Sequence, residues 1–85
     1  MKNLTIKYKE LPETMLGFFT KINDDEYIVL NDKIKKEYQV LAYLGCMYYK
    51  EKGAFVGKIT ISDIENENFE PIQYAKDRIK TILGE

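Results

Sequence analysis

Apolar and polar positions in the segment 32–52 recur with the period of a helix. Ile34, Tyr38, Leu41, Gly45 and Tyr48 fall along one line, with Val40, Leu44 and Met47 beside it. Lys33, Lys35, Lys36, Glu37, Lys50 and Glu51 make its ends polar. A helix of about five turns with so apolar a middle needs flanking segments to cover it, which makes it the predicted core helix. Asp32 or Asn31 is placed to cap its start, and Gly53 to end it in a left-handed turn.

The other elements are arranged around that helix. Leu4, Ile6 and Tyr8 alternate with Thr5 and Lys7, the period-2 pattern of a short half-buried strand, and Leu11-Pro12-Glu13 breaks it. Segments 18–22 and 26–30 are β-rich arms of a predicted hairpin, with Asn23-Asp24-Asp25 as the turn. Beyond the helix, Lys58-Ile59-Thr60-Ile61 reads as another short strand, and Ser62 or Asp63 as the cap of a brief turn through Ile64. Segment 65–70 is acidic and reads as a loop. Pro71 suits a first helical turn, and Ile72, Ala75, Ile79, Ile82 and Leu83 behind it form a stripe expected to lie against the central helix. The expected fold is a single small α+β domain over residues 1–85: a strand and hairpin packed on a long central helix, a short strand or turn, then a C-terminal helix.

Composition narrows the chemistry more than it suggests any. At 85 residues there is room for one core, and 13 basic against 14 acidic residues leave a net charge of −1. That balance does not mark nucleic acid or anionic lipid as a partner. No apolar run approaches the length of a membrane span, and the alternating N-terminus is unlike a signal peptide. A single cysteine, Cys46, precludes an internal disulfide and suits a reducing, cytoplasmic setting. Histidine is absent, so the commonest general base and metal ligand are both missing.

The order of features from Leu11 to Tyr49 resembles the N-terminal part of the ImmA/IrrE-type zinc metallopeptidases. In that family an L-P…G opening leads to a hairpin ending in L-N, then L-S-x-E, then a helix bearing H-E-x-x-H. Leu11-Pro12, Gly17, Leu30-Asn31, Ile34 and Glu37 stand in matching order. The family spacing sets the zinc motif on residues 45–49. Gly45 and Tyr49 then replace the ligand histidines, and Cys46 replaces the glutamate that activates water. A second register puts Ala42, Tyr43 and Cys46 there. Neither register supplies the donors, so the resemblance implies a catalytically inactive relative with no metal and no cofactor.

Each candidate residue also has a plain structural reading. Cys46 has no histidine to lower its pKa and reads as a small buried residue rather than a nucleophile. Gly45 is read as a point of close backbone approach, with a relic of an opened cleft as the alternative. Tyrosine suits both core edges and partner surfaces. Tyr48 is expected to follow the core stripe, leaving Tyr43 and Tyr49 as the residues that show an edge to a partner. Lys33, Lys35 and Lys36 fall in the expected first helical turn, where the helix dipole disfavours positive charge, and they too are candidate contacts. Asp63, Glu65, Glu67 and Glu70 lack the EF-hand spacing and form a solvated or partner-facing patch.

The functional expectation is a non-catalytic protein-interaction module of a phage or mobile element, acting as an adaptor or anti-repressor. The alternative is an unrelated phage or plasmid inhibitor of a host nuclease or defence complex. A protein partner is expected in either case, without membrane association or direct nucleic-acid binding.

Overall fold

The computed structural model describes residues 3–84 and is α+β, as expected; Met1, Lys2 and Glu85 lie outside the described residues. Strands β1 (Asn3–Lys9), β2 (Met15–Ile22), β3 (Asp25–Asn31) and β4 (Val56–Thr60) form one sheet in the order β1-β3-β2-β4. Helix α1 (Lys36–Glu51) precedes β4, and α2 (Ile61–Ile64) and α3 (Glu70–Leu83) follow it. β2 and β3 are the predicted antiparallel hairpin, turning at Asn23, which adopts a positive φ of 56°. β1 runs parallel to β3 with Ile6 beside Ile28, and β4 runs antiparallel to β2 with Ile59 beside Gly17.

Residues that pair across a sheet share a face, so the register assigns both faces. Ile6, Ile28, Phe19 and Gly57 lie in one row on the helix side, and Tyr8, Leu30, Gly17 and Ile59 in the next. The core sits between that face and the helices and includes Leu16, Phe19, Ile28, Leu30, Ala42, Cys46, Ile59 and Ile72. α1 lies across β2, β3 and β4, and α3 packs along α1. The opposite face carries Lys7, Val29, Phe18 and Lys58 in one row and has no helix on it among the described elements.

Several expectations are corrected. α1 begins at Lys36, not near residue 32, because the Asn31 side chain is used elsewhere and Lys35 takes the N-cap position without a side-chain cap. Lys33 therefore lies in a turn, Lys35 outside the helix, and only Lys36 within its first turn. Gly53 ends the helix with a φ of 71°, as expected. The buried face of α1 is Ala42, Gly45 and Cys46, one step around from the predicted line, and Val40 is exposed. Thr60, rather than Ser62 or Asp63, is the N-cap of α2, with Asp63 reaching back to it. β1 is an edge strand exposed along nearly its whole length, because α1 does not extend over it. Pro71 does stand in the first turn of α3, and Ile72 and Ala75 are buried against the core. The far end of that stripe is uncovered: Ile82 is 71% and Leu83 66% exposed.

Candidate functional site

The resemblance directs attention first to the middle of α1, and this region is packed solid. Cys46 is fully buried, and loss of solvent pushes its thiol up to about 12. A Cβ on Gly45 would come within 2.8 Å of Ile59 Cδ1, and the Pro71 carbonyl oxygen closes the same spot. The tight neighbour at Gly45 is the Ile59 side chain of β4 rather than a backbone segment, with the Pro71 carbonyl oxygen at the start of α3 at an ordinary contact distance of 3.6 Å. The Tyr49 ring lies flat against Gly57, where no side chain would fit, and its hydroxyl donates to the Lys58 carbonyl oxygen at 3.1 Å. Burial chiefly holds the Tyr49 phenol above its usual range.

In the second register Ala42 and Cys46 are equally enclosed, and Tyr43 is half-buried. Ala42 Cβ abuts Gly17 of β2, 3.3 Å from where a Cβ there would lie. Gly45, Cys46 and Tyr49 thus do structural work. Among the described residues no cluster of His, Cys, Asp or Glu is gathered in the way that metal ligands are.

The tyrosines exchange their expected roles. Tyr49 packs against the core, whereas Tyr48 carries its hydroxyl out to the Glu70 carboxylate, to which it donates a hydrogen bond. That bond is the main reason the Tyr48 phenol is held above its usual range. Tyr48 also stands edge to face with Tyr74, joining α1 to the first half of α3.

A groove of about 390 Å³ opens on the other flank of α1. Its floor is the exposed Ile6 and Tyr8 of β1, with the buried Leu30 of β3 at its inner edge; its walls include Val40, Tyr43 and Leu44 of α1, with Ile82 of α3 at the end. Lys36 and Gln39 are the polar members of its lining. Tyr43 and Lys36 are therefore the two sequence candidates that the fold brings together. Lys33 and Lys35 are exposed in the turn before α1, and Glu67 is exposed in the loop before α3. Glu65 borders a separate pocket of about 320 Å³ with Tyr38, Ile61 and Ile64. The acidic patch and the apolar groove are distinct places.

No family model, curated protein or solved structure matches this chain. Among the described residues no helix is long and apolar enough to cross a membrane.

The sequence reading missed the polar hub of the fold, Asn31, which is 1% exposed. Its Oδ1 accepts from the backbone N–H of Lys33 at 3.0 Å and of Leu11 at 3.4 Å. Its Nδ2 donates to the carbonyl oxygens of Met15 at 2.9 Å and of Leu11 and Pro12 at 3.3 Å. The Gln39 amide in turn donates to the Asn31 carbonyl oxygen at 3.0 Å, tying α1 to the same point. One side chain thereby fixes the 11–15 turn and the approach to α1, and Gln39, whose amide bonds to the Asn31 carbonyl oxygen, belongs to the groove lining. A Leu-Asn pair closing a hairpin was the available signal. The groove itself was foreshadowed by two uncommitted apolar sets, Ile6 with Tyr8 and Val40 with Leu44.

Proposed function

We propose that this chain is a non-catalytic protein-interaction domain, similar in scaffold order to the ImmA/IrrE-type peptidases and encoded by a phage or mobile element. It acts as an adaptor or anti-repressor by receiving an apolar segment of a partner protein in the groove beside α1. The observation that carries the reading is the opposite fate of the two flanks of α1. The flank holding Gly45, Cys46 and Tyr49 is closed by Ile59, Pro71 and Gly57. The flank holding Val40, Tyr43 and Leu44 is open and apolar. A glycine offers no donor, a buried thiol with a raised pKa is a poor ligand and nucleophile, and the Tyr49 hydroxyl is engaged. Exposed apolar surface bordered by a few polar groups is what partner-binding sites retain.

The test is affinity capture from the native host with the wild-type chain, a Val40→Ala, Tyr43→Ala variant, and a Glu65→Gln, Glu67→Gln control. The expected result is one stoichiometric partner, lost in the groove variant, kept in the control, and uncleaved on incubation with or without zinc. Tyr49 is unsuitable as a probe because its ring fills space in the core. Loss through the acidic variant alone would move the site to the Glu65 loop and favour an inhibitor of a basic, nucleic-acid-binding protein. Zinc bound at one equivalent per chain, or a cleaved partner, would overturn the non-catalytic reading.

A further inference from the structure

The two edges of the sheet are treated differently. On β4 the Phe55 carbonyl accepts from Lys21 N–H, so Phe55 bonds towards β2 and Val56, Lys58 and Thr60 turn their backbone groups outward. Two of those groups already have partners: the Lys58 carbonyl accepts from the Tyr49 hydroxyl, and the Thr60 N–H donates to Asp63 Oδ2 at 2.8 Å. On β1 the Lys9 carbonyl accepts from Asp32 N–H at 2.9 Å, so Lys9 bonds towards β3 and, by alternation, so do Asn3, Thr5 and Lys7. Leu4, Ile6 and Tyr8 therefore direct their N–H and C=O groups away from the sheet. No described residue bonds to them. Their side chains lie on the helix side and are 38%, 42% and 59% exposed. A seven-residue edge without bulge or proline, with backbone and apolar side chains both unpartnered, is a template for another strand.

We infer that the occupant of this edge is a second copy of β1, joined antiparallel about a two-fold axis through Ile6, so that two sheets become one of eight strands. The strand is self-complementary in this register. Ile6 faces the partner's Ile6, and Leu4 faces the partner's Tyr8 in both directions. All three outward-bonding residues thereby form hydrogen-bonded pairs, each exchanging two bonds. The same register sets apolar beside apolar on the helix side. On the other face Lys7 stands opposite the partner's Thr5 and Lys9 opposite the partner's Asn3, so no like charges are directly opposed. Neighbouring registers are worse: an axis at Lys7 sets two lysines face to face, and an axis at Thr5 leaves Tyr8 with no partner among the described residues. Isologous pairing of this kind closes on itself and leaves no free β1 edge to propagate. It also sets the two Tyr43 grooves on the same side of the joined sheet, flanking the axis. The edge shares Ile6 and Tyr8 with the floor of the groove, but the inference does not rest on the proposed partner, since it is read from mass and cross-linking of the chain alone.

Sedimentation equilibrium of the purified chain, from micromolar to millimolar concentration, should give twice the chain mass. Ile6→Glu sets two carboxylates across the axis at an exposed position and should weaken the dimer by roughly 100-fold or more, with its circular dichroism unchanged. Independently, Ile6→Cys should form an intermolecular disulfide under mild oxidation, because hydrogen-bonded antiparallel pairs hold Cα atoms about 5.5 Å apart. Val56→Cys on the other edge should not, and buried Cys46 gives little background. A monomer at all concentrations would overturn the inference, including the case where a strand of some other protein takes the edge. So would a dimer that Ile6→Glu leaves intact, or equal cross-linking from both cysteine positions.

Discussion

Replacing Asn31 by alanine is the sharpest test of how this fold is held. The side chain is buried and satisfies backbone groups on two segments, accepting from Leu11 N–H and Lys33 N–H and donating to the carbonyl oxygens of Leu11, Pro12 and Met15. Two of these bonds, to Met15 at 2.9 Å and from Lys33 at 3.0 Å, have strong geometry. Losing a bond of that kind and leaving its partner unpaired in a part-buried site costs about 1–2 kcal/mol each. The three longer contacts add less, so the total is about 3 kcal/mol. A domain of 85 residues has roughly 4–13 kcal/mol to lose, and 3 kcal/mol corresponds to a fall in Tm of roughly 12–24 °C. Urea and thermal unfolding followed by circular dichroism give both quantities. Asn31→Asp should be no better than alanine, because it keeps the acceptors for Leu11 and Lys33 but turns a carboxylate towards three carbonyl oxygens. Asn3→Ala, which removes one exposed 3.5 Å bond to Asp25, should stay within about 0.5 kcal/mol of wild type. If Asn31→Ala cost less than about 1 kcal/mol, the 11–15 turn would have to be held by something other than this amide.

Gly57→Ala places a methyl in the Tyr49 ring and should cost about 2–3 kcal/mol in urea unfolding, with part recovered when Tyr49→Leu is added. Gly45→Ala meets Ile59 Cδ1 at 2.8 Å and Cγ1 at 3.3 Å, with the Pro71 carbonyl oxygen at 3.6 Å, but gains helix propensity, so its net cost should be smaller, about 1 kcal/mol. For Cys46 the folded thiol titrates at about 12 against 9.0 when free, so above pH 9 the unfolded chain gives up a proton that the folded chain keeps. Stability should therefore fall as pH rises through that window, by about 1.4 kcal/mol per unit from this group, and Cys46→Ala should flatten the slope. Asp63→Ala removes two 2.8 Å bonds to Thr60 and should cost about 1 kcal/mol by chemical denaturation.

Local rules carried most of the architecture. The hairpin arms announce themselves by β-rich runs around Asn23-Asp24, Gly53 and Pro71 mark helix ends through backbone conformations few other residues favour, and the α3 stripe starts where Pro71 allows it. What local rules could not supply was the partner of each apolar set. Leu4, Ile6 and Tyr8 alternate as a half-buried strand should, yet the pattern is the same whether a helix covers the strand or stops short of it. α1 stops short, because its buried face is anchored on β2 and β4. The start of α1 was misplaced for a related reason: Asn31 is a good cap by residue type, but five contacts to the 11–15 turn and to Lys33 outweigh the one or two that capping offers.

The rotation of α1 by one step shows how small residues decide a packing that hydrophobicity leaves open. The helix is apolar over more than one face, so Leu41, Leu44 and Tyr48 were as eligible for the core as Ala42, Cys46 and Tyr49. Close approach to a sheet, however, needs short side chains where the backbones cross. Ala42 against Gly17, Gly45 against Ile59 and Tyr49 against Gly57 are three such fits, each joining a glycine to a larger neighbour on the opposing element. They draw α1 onto β2 and β4, and the bulkier Val40, Tyr43 and Leu44 are left facing β1 with a gap between. The groove is then a geometric consequence of the same three contacts that close the other flank. A substitution that loosened Gly57 against Tyr49 would alter both flanks together.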